Sequence, residues 1–262
     1  MSVVEKHAPG SFCWVELGTT DAPAAKAFYN ALFGWQSMDA PTGPDQVYTM
    51  LNLGGKSVGA LYNLDKNMLQ LGIRPHWMLY IAVSSADEAS AKAKTLGATV
   101  MKEPFDVFDA GRMAVIRDPA GAIFCIWQAN KNTGIQLEGE PNTLCWSELW
   151  TSDTAKAIGF YTKLFGWSTK TSTDAPTEYT ELSNQGRPMG GVMQIMKEWG
   201  NIPPNWLPYF MVTNCDSSVA KINQLGGSIK MPPMDIPKVG RFAVVTDPQG
   251  AAFQIIQMAA RG

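Results

Sequence analysis

Two glutamates stand in closely similar surroundings, Glu16 in FCWVELGT and Glu148 in LCWSELWT, each two residues beyond a tryptophan, Trp14 or Trp146. The flanking residues are mostly apolar, and a carboxylate placed there either shifts its pKa upward by desolvation or finds donors. Two roles fit these carboxylates. One is a general base that takes a proton from a carbon next to a carbonyl; the other is a structural carboxylate held by backbone amides or by an arginine. Arg112 and Arg241 each follow a glycine. A guanidinium there can grip a substrate carboxylate or phosphate through two parallel hydrogen bonds, or pair with Asp106 or Asp235 or with the two glutamates. Trp14, Met78, Tyr80, Trp127, Trp146 and Tyr209 offer flat or apolar contact surface, which binds organic ligands by burial and stacking or simply fills a core. Cys13 and Cys145 read as buried small hydrophobes. Cys125 has no base or cation near it in sequence that would lower its pKa.

These residues recur because the chain repeats. The segment 12–35 matches 144–167 at 13 of 24 positions, and GRMAVIRDPAGAIF at 111–124 matches GRFAVVTDPQGAAF at 240–253 at 9 of 14. Trp77, Tyr80, Val83, Asp87 and Gly97 correspond to Trp206, Tyr209, Val212, Asp216 and Gly226 at an offset of 129 residues. A period near 130 is far longer than a solenoid unit, so each copy is expected to be a small domain: module 1 at 1–134 and module 2 at 135–262, with the seam near 131–142. Within a copy, SFCWVELGT alternates as a strand. The following segment carries Ala25, Phe28, Tyr29 and Leu32 at helical spacing between a Thr/Asp cap and Gly34. VYTML, SVGALYN and Trp77 to Val83 read as strands, SSADEASAKAKTLG as a capped helix, and MAVIRDPAGAIFCIWQ as a hairpin with a type I turn at Asp118-Pro119-Ala120-Gly121. The second half of each copy echoes the first. Four βαβββ units are therefore expected, an α+β fold of curved mixed sheets with helices on their outer faces.

The W-x-E-L strand, the T-x-D and AxxFYxxLFGW helix and the DPxGAxF hairpin together resemble the vicinal oxygen chelate superfamily, which includes glyoxalase I, extradiol dioxygenases and bleomycin-resistance proteins. The resemblance implies tandem glyoxalase-like modules, each a cup that in catalytic members holds a divalent metal on four side chains. At the positions it assigns to those ligands the chain has Trp14, Met78 and Cys125 in module 1 and Trp146, Leu207 and Gln254 in module 2. The fourth ligand falls near 60–63 and 192–195, where Gln194 is the one usable oxygen donor. Only Gln254 is a usual choice among the rest. The chain has two histidines, His7 in the N-terminal leader and His76 before a strand. That number cannot build a two-His-one-carboxylate triad inside one cup, so extradiol cleavage and His-rich zinc hydrolysis are disfavoured. No cofactor is expected, a divalent metal on Glu16, Glu148 and Gln254 being the minority reading.

Composition narrows the classes further. The chain has 262 residues, 21 Lys plus Arg against 23 Asp plus Glu and a net charge of -2, so it lacks the electrostatic basis for nucleic-acid binding. No run approaches the length of a membrane span, MSVVEKHAPG has no apolar signal core, and the four cysteines show no CxxC pair, which makes the cytoplasm the expected address. Module pairing is satisfied either within one chain as a monomer or between two chains as a homodimer. The preferred function is metal-independent binding of a small organic molecule in an aromatic cup. The alternatives are a glyoxalase-class lyase or isomerase using Glu16 or Glu148, and a scaffold whose cups are filled.

Overall fold

The computed structural model describes residues 3–43, 46–172 and 178–259. Module 1 runs β1 (Phe12–Thr19), α1 (Ala22–Phe33), β2 (Gln36–Gly43), β3 (Gln46–Leu53), β4 (Lys56–Asn63), α2 (Lys66–Gln70), β5 (His76–Ala82), α3 (Ala86–Thr95), β6 (Thr99–Val107), β7 (Gly111–Arg117) and β8 (Ile123–Ala129). Module 2 repeats this as β9 (Leu144–Thr151), α4 (Thr154–Phe165), β10 (Ser168–Ser172), β11 (Tyr179–Asn184), β12 (Arg187–Gln194), β13 (Asn205–Met211), α5 (Cys215–Gln224), β14 (Ser228–Ile236), β15 (Gly240–Thr246) and β16 (Ala252–Met258). A 3₁₀ turn at Lys197–Trp199 takes the place of α2. Asp21 and Asp153 cap α1 and α4 by accepting from the amides of Ala24 and Lys156, and Gly34 and Gly166 end them in the left-handed conformation.

Each module forms one eight-stranded sheet, ordered β2-β3-β4-β1-β5-β8-β7-β6 and β10-β11-β12-β9-β13-β16-β15-β14. The central strand β1 is parallel to β4 and antiparallel to β5, which is parallel to β8, so the two βαβββ units join through β1 and β5. Alternation sends Trp14, Glu16 and Gly18 to the concave side and Cys13, Val15 and Leu17 to the helix side, where the latter three are fully buried.

The helix sides of the two modules meet, and polar contacts there are reciprocal. Asp118, at the head of the β7–β8 turn, uses Oδ1 to accept from the amides of Ala120, Gly121 and Ala122, while its Oδ2 accepts from the hydroxyl of Tyr161 on α4 at 3.0 Å. Asp247 orders the β15–β16 turn in the same way, and its Oδ2 accepts from Tyr29 on α1, also at 3.0 Å. Each tyrosine oxygen in turn accepts an indole N–H from its own module, Trp77 to Tyr29 and Trp206 to Tyr161. Two further indoles cross over: Trp35 donates to the carbonyl of Asn142 and Trp167 to that of Gly10. Around them Phe33, Trp35 and Trp77 pack on Phe210, and Phe12 packs on Trp167 and Trp206.

The N-terminal leader also joins this seam. Val4 donates to the carbonyl of Gln136, and buried His7 bonds through Nε2 to the carbonyl of Ile135 at 2.8 Å. Neither β6 nor α2 shows in the sequence pattern, because most residues of β6 and all of α2 lie at the surface and carry no burial period. Among the described residues no helix is long and apolar enough to cross a membrane. Replacing Tyr29 or Tyr161 with Phe leaves a buried carboxylate oxygen and an indole N–H unpartnered. Each change is expected to lower stability by about 1–3 kcal/mol in urea unfolding, and an unchanged midpoint would show that these bonds do not hold the seam.

Candidate functional site

In cup 1, the concave side of the β1–β8 sheet, the Glu16 carboxylate lies between two tyrosines. Tyr80 on β5 donates to Oε1 at 2.6 Å and Tyr48 on β3 donates to Oε2 at 2.7 Å, while Trp14 Nε1 donates to the Tyr48 oxygen at 2.9 Å. Strand register explains the meeting: Trp14 pairs with Tyr80, Glu16 with Met78 and with Ala60, Tyr80 with Cys125, and Trp127 with both Ala82 and Met113. Trp127 sets its ring edge-on to Tyr80 and donates Nε1 to the carbonyl of Asn132. Trp14, Tyr80, Cys125 and Trp127 are buried, but Glu16, Met50, Tyr62, Met78 and Met113 remain partly exposed. Cup 1 is therefore less covered than its counterpart around the central glutamate.

Cup 2 repeats the floor and closes the mouth. Glu148 is 4% exposed and takes bonds from Tyr209 at 3.2 and 3.1 Å, from Gln254 Nε2 at 3.2 Å and from Trp150 Nε1 at 2.7 Å. Trp146 donates to Tyr179, as Trp14 does to Tyr48. Trp150 occupies the position of Gly18 and lies buried with Leu207 and Val244, covered by Met193, Ile195, Trp199, Ile202, Met231 and Phe242. Its ring centroid is 4.6 Å from that of Trp199.

Burial pushes the pKa of both glutamates up, against the pull of their tyrosine donors and, for Glu148, of Trp150 and Gln254. Cys125 is pushed well above an ordinary thiol by burial and then by the Glu16 charge, so it holds no thiolate. Arg112 stands away from the cup, on the helix side, gripping Asp87 of α3 with Nε and Nη2 and Asp106 with Nη1. Arg241 holds Asp216 and Asp235 identically. Gln194 faces away from cup 2 and donates to the carbonyl of Ser152, because β12 turns Met193 inward instead. Of the residues singled out in sequence, Trp14, Glu16, Met78, Tyr80, Cys125 and Trp127 come together in cup 1, and Trp146, Glu148, Tyr209 and Gln254 in cup 2. Tyr48, Tyr179 and Trp150 were missed. The repeated YT pair in VYTML and EYTEL was the available signal for the two tyrosines.

The donors in the cups do not suit a metal. The central carboxylate of each cup already accepts from phenols, the groups beside it are indole, thioether, thiol or one amide, and the one further carboxylate that strand register puts on the cup 2 face among the described residues is Glu181 on β11. Gln254 Oε1 is buried without a partner, yet its own amide N–H and the Trp150 N–H point at Glu148, where a cation would need a free lone pair. Among the described residues no three His, Cys, Asp or Glu side chains cluster as metal ligands. A cavity of about 270 Å³ lies along the seam, lined by Lys6, His7, Ser11, Glu138, Asn184 and Arg187.

The chain belongs to the Glyoxalase/Bleomycin resistance protein/Dioxygenase superfamily, whose pattern matches residues 11–126 and again 143–255. It is 39% identical over 256 residues to "Putative glyoxylase CFP32" of Mycobacterium tuberculosis, covering 97% of both chains. It is 32% identical over 263 residues to "Anthracycline biosynthesis protein DauV" of Streptomyces sp. strain C5, covering 97% of this chain and 95% of that one. Its fold resembles that of an Mn(II)-bound glyoxalase from Novosphingobium aromaticivorans, with a TM-score of 0.67 at 15% identity over 95% of this chain and 82% of the other.

The raised pKa of Glu148 has a stability consequence. The proton stays on the folded chain above the ordinary value of 4.5, so its stabilising contribution is full below that value and is lost as pH rises through the folded pKa. Glu148→Gln removes this dependence while keeping an acceptor. The melting temperature of the variant relative to wild type is expected to increase from about pH 5 to about pH 7, and a flat difference would contradict the assigned environment.

Proposed function

We propose that this chain is a metal-independent binder of a small organic molecule, taken up in cup 1 alone. The carrying observation is the contrast between the cups. Both keep the tyrosine-bound glutamate, but cup 2 is plugged by its own Trp150 while cup 1 has Gly18 there and partly exposed Met50, Tyr62, Met78 and Met113. Such a surface contacts an apolar or flat ligand by burial, with thioethers that adapt to its outline. A relative named for anthracycline biosynthesis is consistent with an organic ligand of this kind.

A second reading rests on Glu16 itself. A carboxylate whose pKa is pushed up by burial is suited to take a proton from carbon next to a carbonyl, the step of a glyoxalase-class lyase or isomerase, with the Tyr48 and Tyr80 hydroxyls holding its orientation. The two readings separate experimentally. Elemental mass spectrometry of protein purified without affinity metal is expected to find far less than one ion per chain, and a thermal-shift screen of aromatic and apolar compounds to find stabilising ligands. One tightly held ion per chain, or no shift from any compound, would overturn the binder. Turnover of a ketoaldehyde–thiol adduct that falls at least a hundredfold in Glu16→Gln would establish the enzyme instead.

A further inference from the structure

The duplication places a ligand-like group inside the molecule. In module 2 the indole of Trp150 sits beside Glu148, gives it an N–H at 2.7 Å, and is roofed by Trp199, Ile195 and Ile202 from the β12–β13 connection. The matching positions in module 1 differ in a coordinated way. Gly18 replaces Trp150 and Cys125 replaces Gln254, so Glu16 lacks both of the non-tyrosine donors that Glu148 has. Its two oxygens accept one hydroxyl each, although a carboxylate offers about four acceptor positions. The connection β4–β5, equivalent to the roof of cup 2, carries Leu69, Leu71 and Ile73 on the surface, with Leu71 80% exposed. Three side chains stand where the indole would be: a Cβ on Gly18 would meet Leu64 at 2.9 Å, the hydroxyl of Tyr62, which has Met193 as its counterpart, at 3.1 Å, and His76 at 3.3 Å.

We infer that cup 1 takes a flat aromatic molecule bearing an N–H or O–H donor, which fills the place that Trp150 fills in cup 2, donates to Glu16, and is covered by the 64–75 segment. This rests on the binding function proposed above and adds the ligand's chemistry: planar, about the size of an indole or phenol, and donor-bearing on one edge. The exposed leucines and isoleucine gain a partner when the ligand is bound, as Trp199 and Ile202 have one in Trp150. Tyr62, Leu64 and His76 must shift away from Gly18 to admit the ring.

The test uses 5-fluoroindole and its N-methyl twin, followed by fluorine NMR on the full-length chain. Wild type is expected to bind the indole in fast exchange at one site, with the N-methyl twin at least tenfold weaker because it cannot donate to Glu16. Glu16→Gln should erase most of that preference. Gly18→Trp, which copies module 2, should abolish binding. Because a Cβ at Gly18 would already lie 2.9 Å from Leu64 and 3.1 Å from the Tyr62 hydroxyl, the opposite variant serves as an independent arm. Trp150→Gly should bind a second equivalent of indole and recover part of its lost melting temperature when indole is added. Equal binding of the two probes, unchanged by Glu16→Gln, would overturn the donor assignment and leave the apolar cup reading standing. Failure of either cup to bind indole in wild type and in folded Trp150→Gly would overturn the inference, while the wider ligand screen decides the binding function separately.

Discussion

Everything in this molecule is placed by one exchange: the aspartate that shapes the closing turn of each module is completed by a tyrosine from the first helix of the other. Asp118 and Asp247 each spend one oxygen on their own turn and the other on Tyr161 or Tyr29. Burial raises the pKa of both aspartates, so the site disfavours charge and depends on the donors that surround it. A module alone would leave the turn carboxylate without its tyrosine and expose the aromatic cluster around Tyr29, Trp77 and Phe210. The seam fixes the modules helix side to helix side. The two cups consequently open away from each other.

With the helix sides committed to packing, the concave sides were free to diverge. Both retained a central glutamate under tyrosine hydroxyls, with an indole bonded to one of those tyrosines, which is an expensive arrangement in an apolar surface unless fully satisfied. Cup 2 satisfies it internally, through Trp150 and Gln254, and becomes a second small core. Cup 1 leaves acceptor capacity unused and apolar side chains partly wet. The same fold thus gives one module a filled concave side and the other the more open one on which the proposed binding function rests.

Much of this was legible in the sequence. The repeat identified the duplicated fold, the strand phase of W-x-E put Trp14 with Glu16 and Trp146 with Glu148 on one side, and Asp106 and Asp235 were named as partners for the arginines. The sequence could not show that Tyr29 and Asp247, 218 residues apart, touch, since spacing along the chain carries no information about contacts between duplicated modules. It also could not show that Asp87 and Asp216 complete the arginine pairs, because each sits on a helix that only the fold brings over β7 or β15. The resemblance bounds the fourth ligand only to 192–195, and in a strand of period two the neighbour Met193 faces the cup while Gln194 faces away. The exchange of Gly18 for Trp150 was visible in ELGT against ELWT, but its meaning as a plug depends on Trp199 arriving from a loop without regular pattern.

The central claim, one receptive metal-free cup and one self-filled cup on a shared scaffold, is tested most directly by a crystal structure of the full chain soaked with a ligand that stabilises it in solution. The account predicts density for that ligand in cup 1 beside Glu16, with Trp150 and Trp199 unmoved in cup 2 and no metal at either glutamate. Ligand in the seam cavity beside His7 and Arg187, ligand displacing Trp150, or a metal ion bound to Glu16 or Glu148 would contradict it.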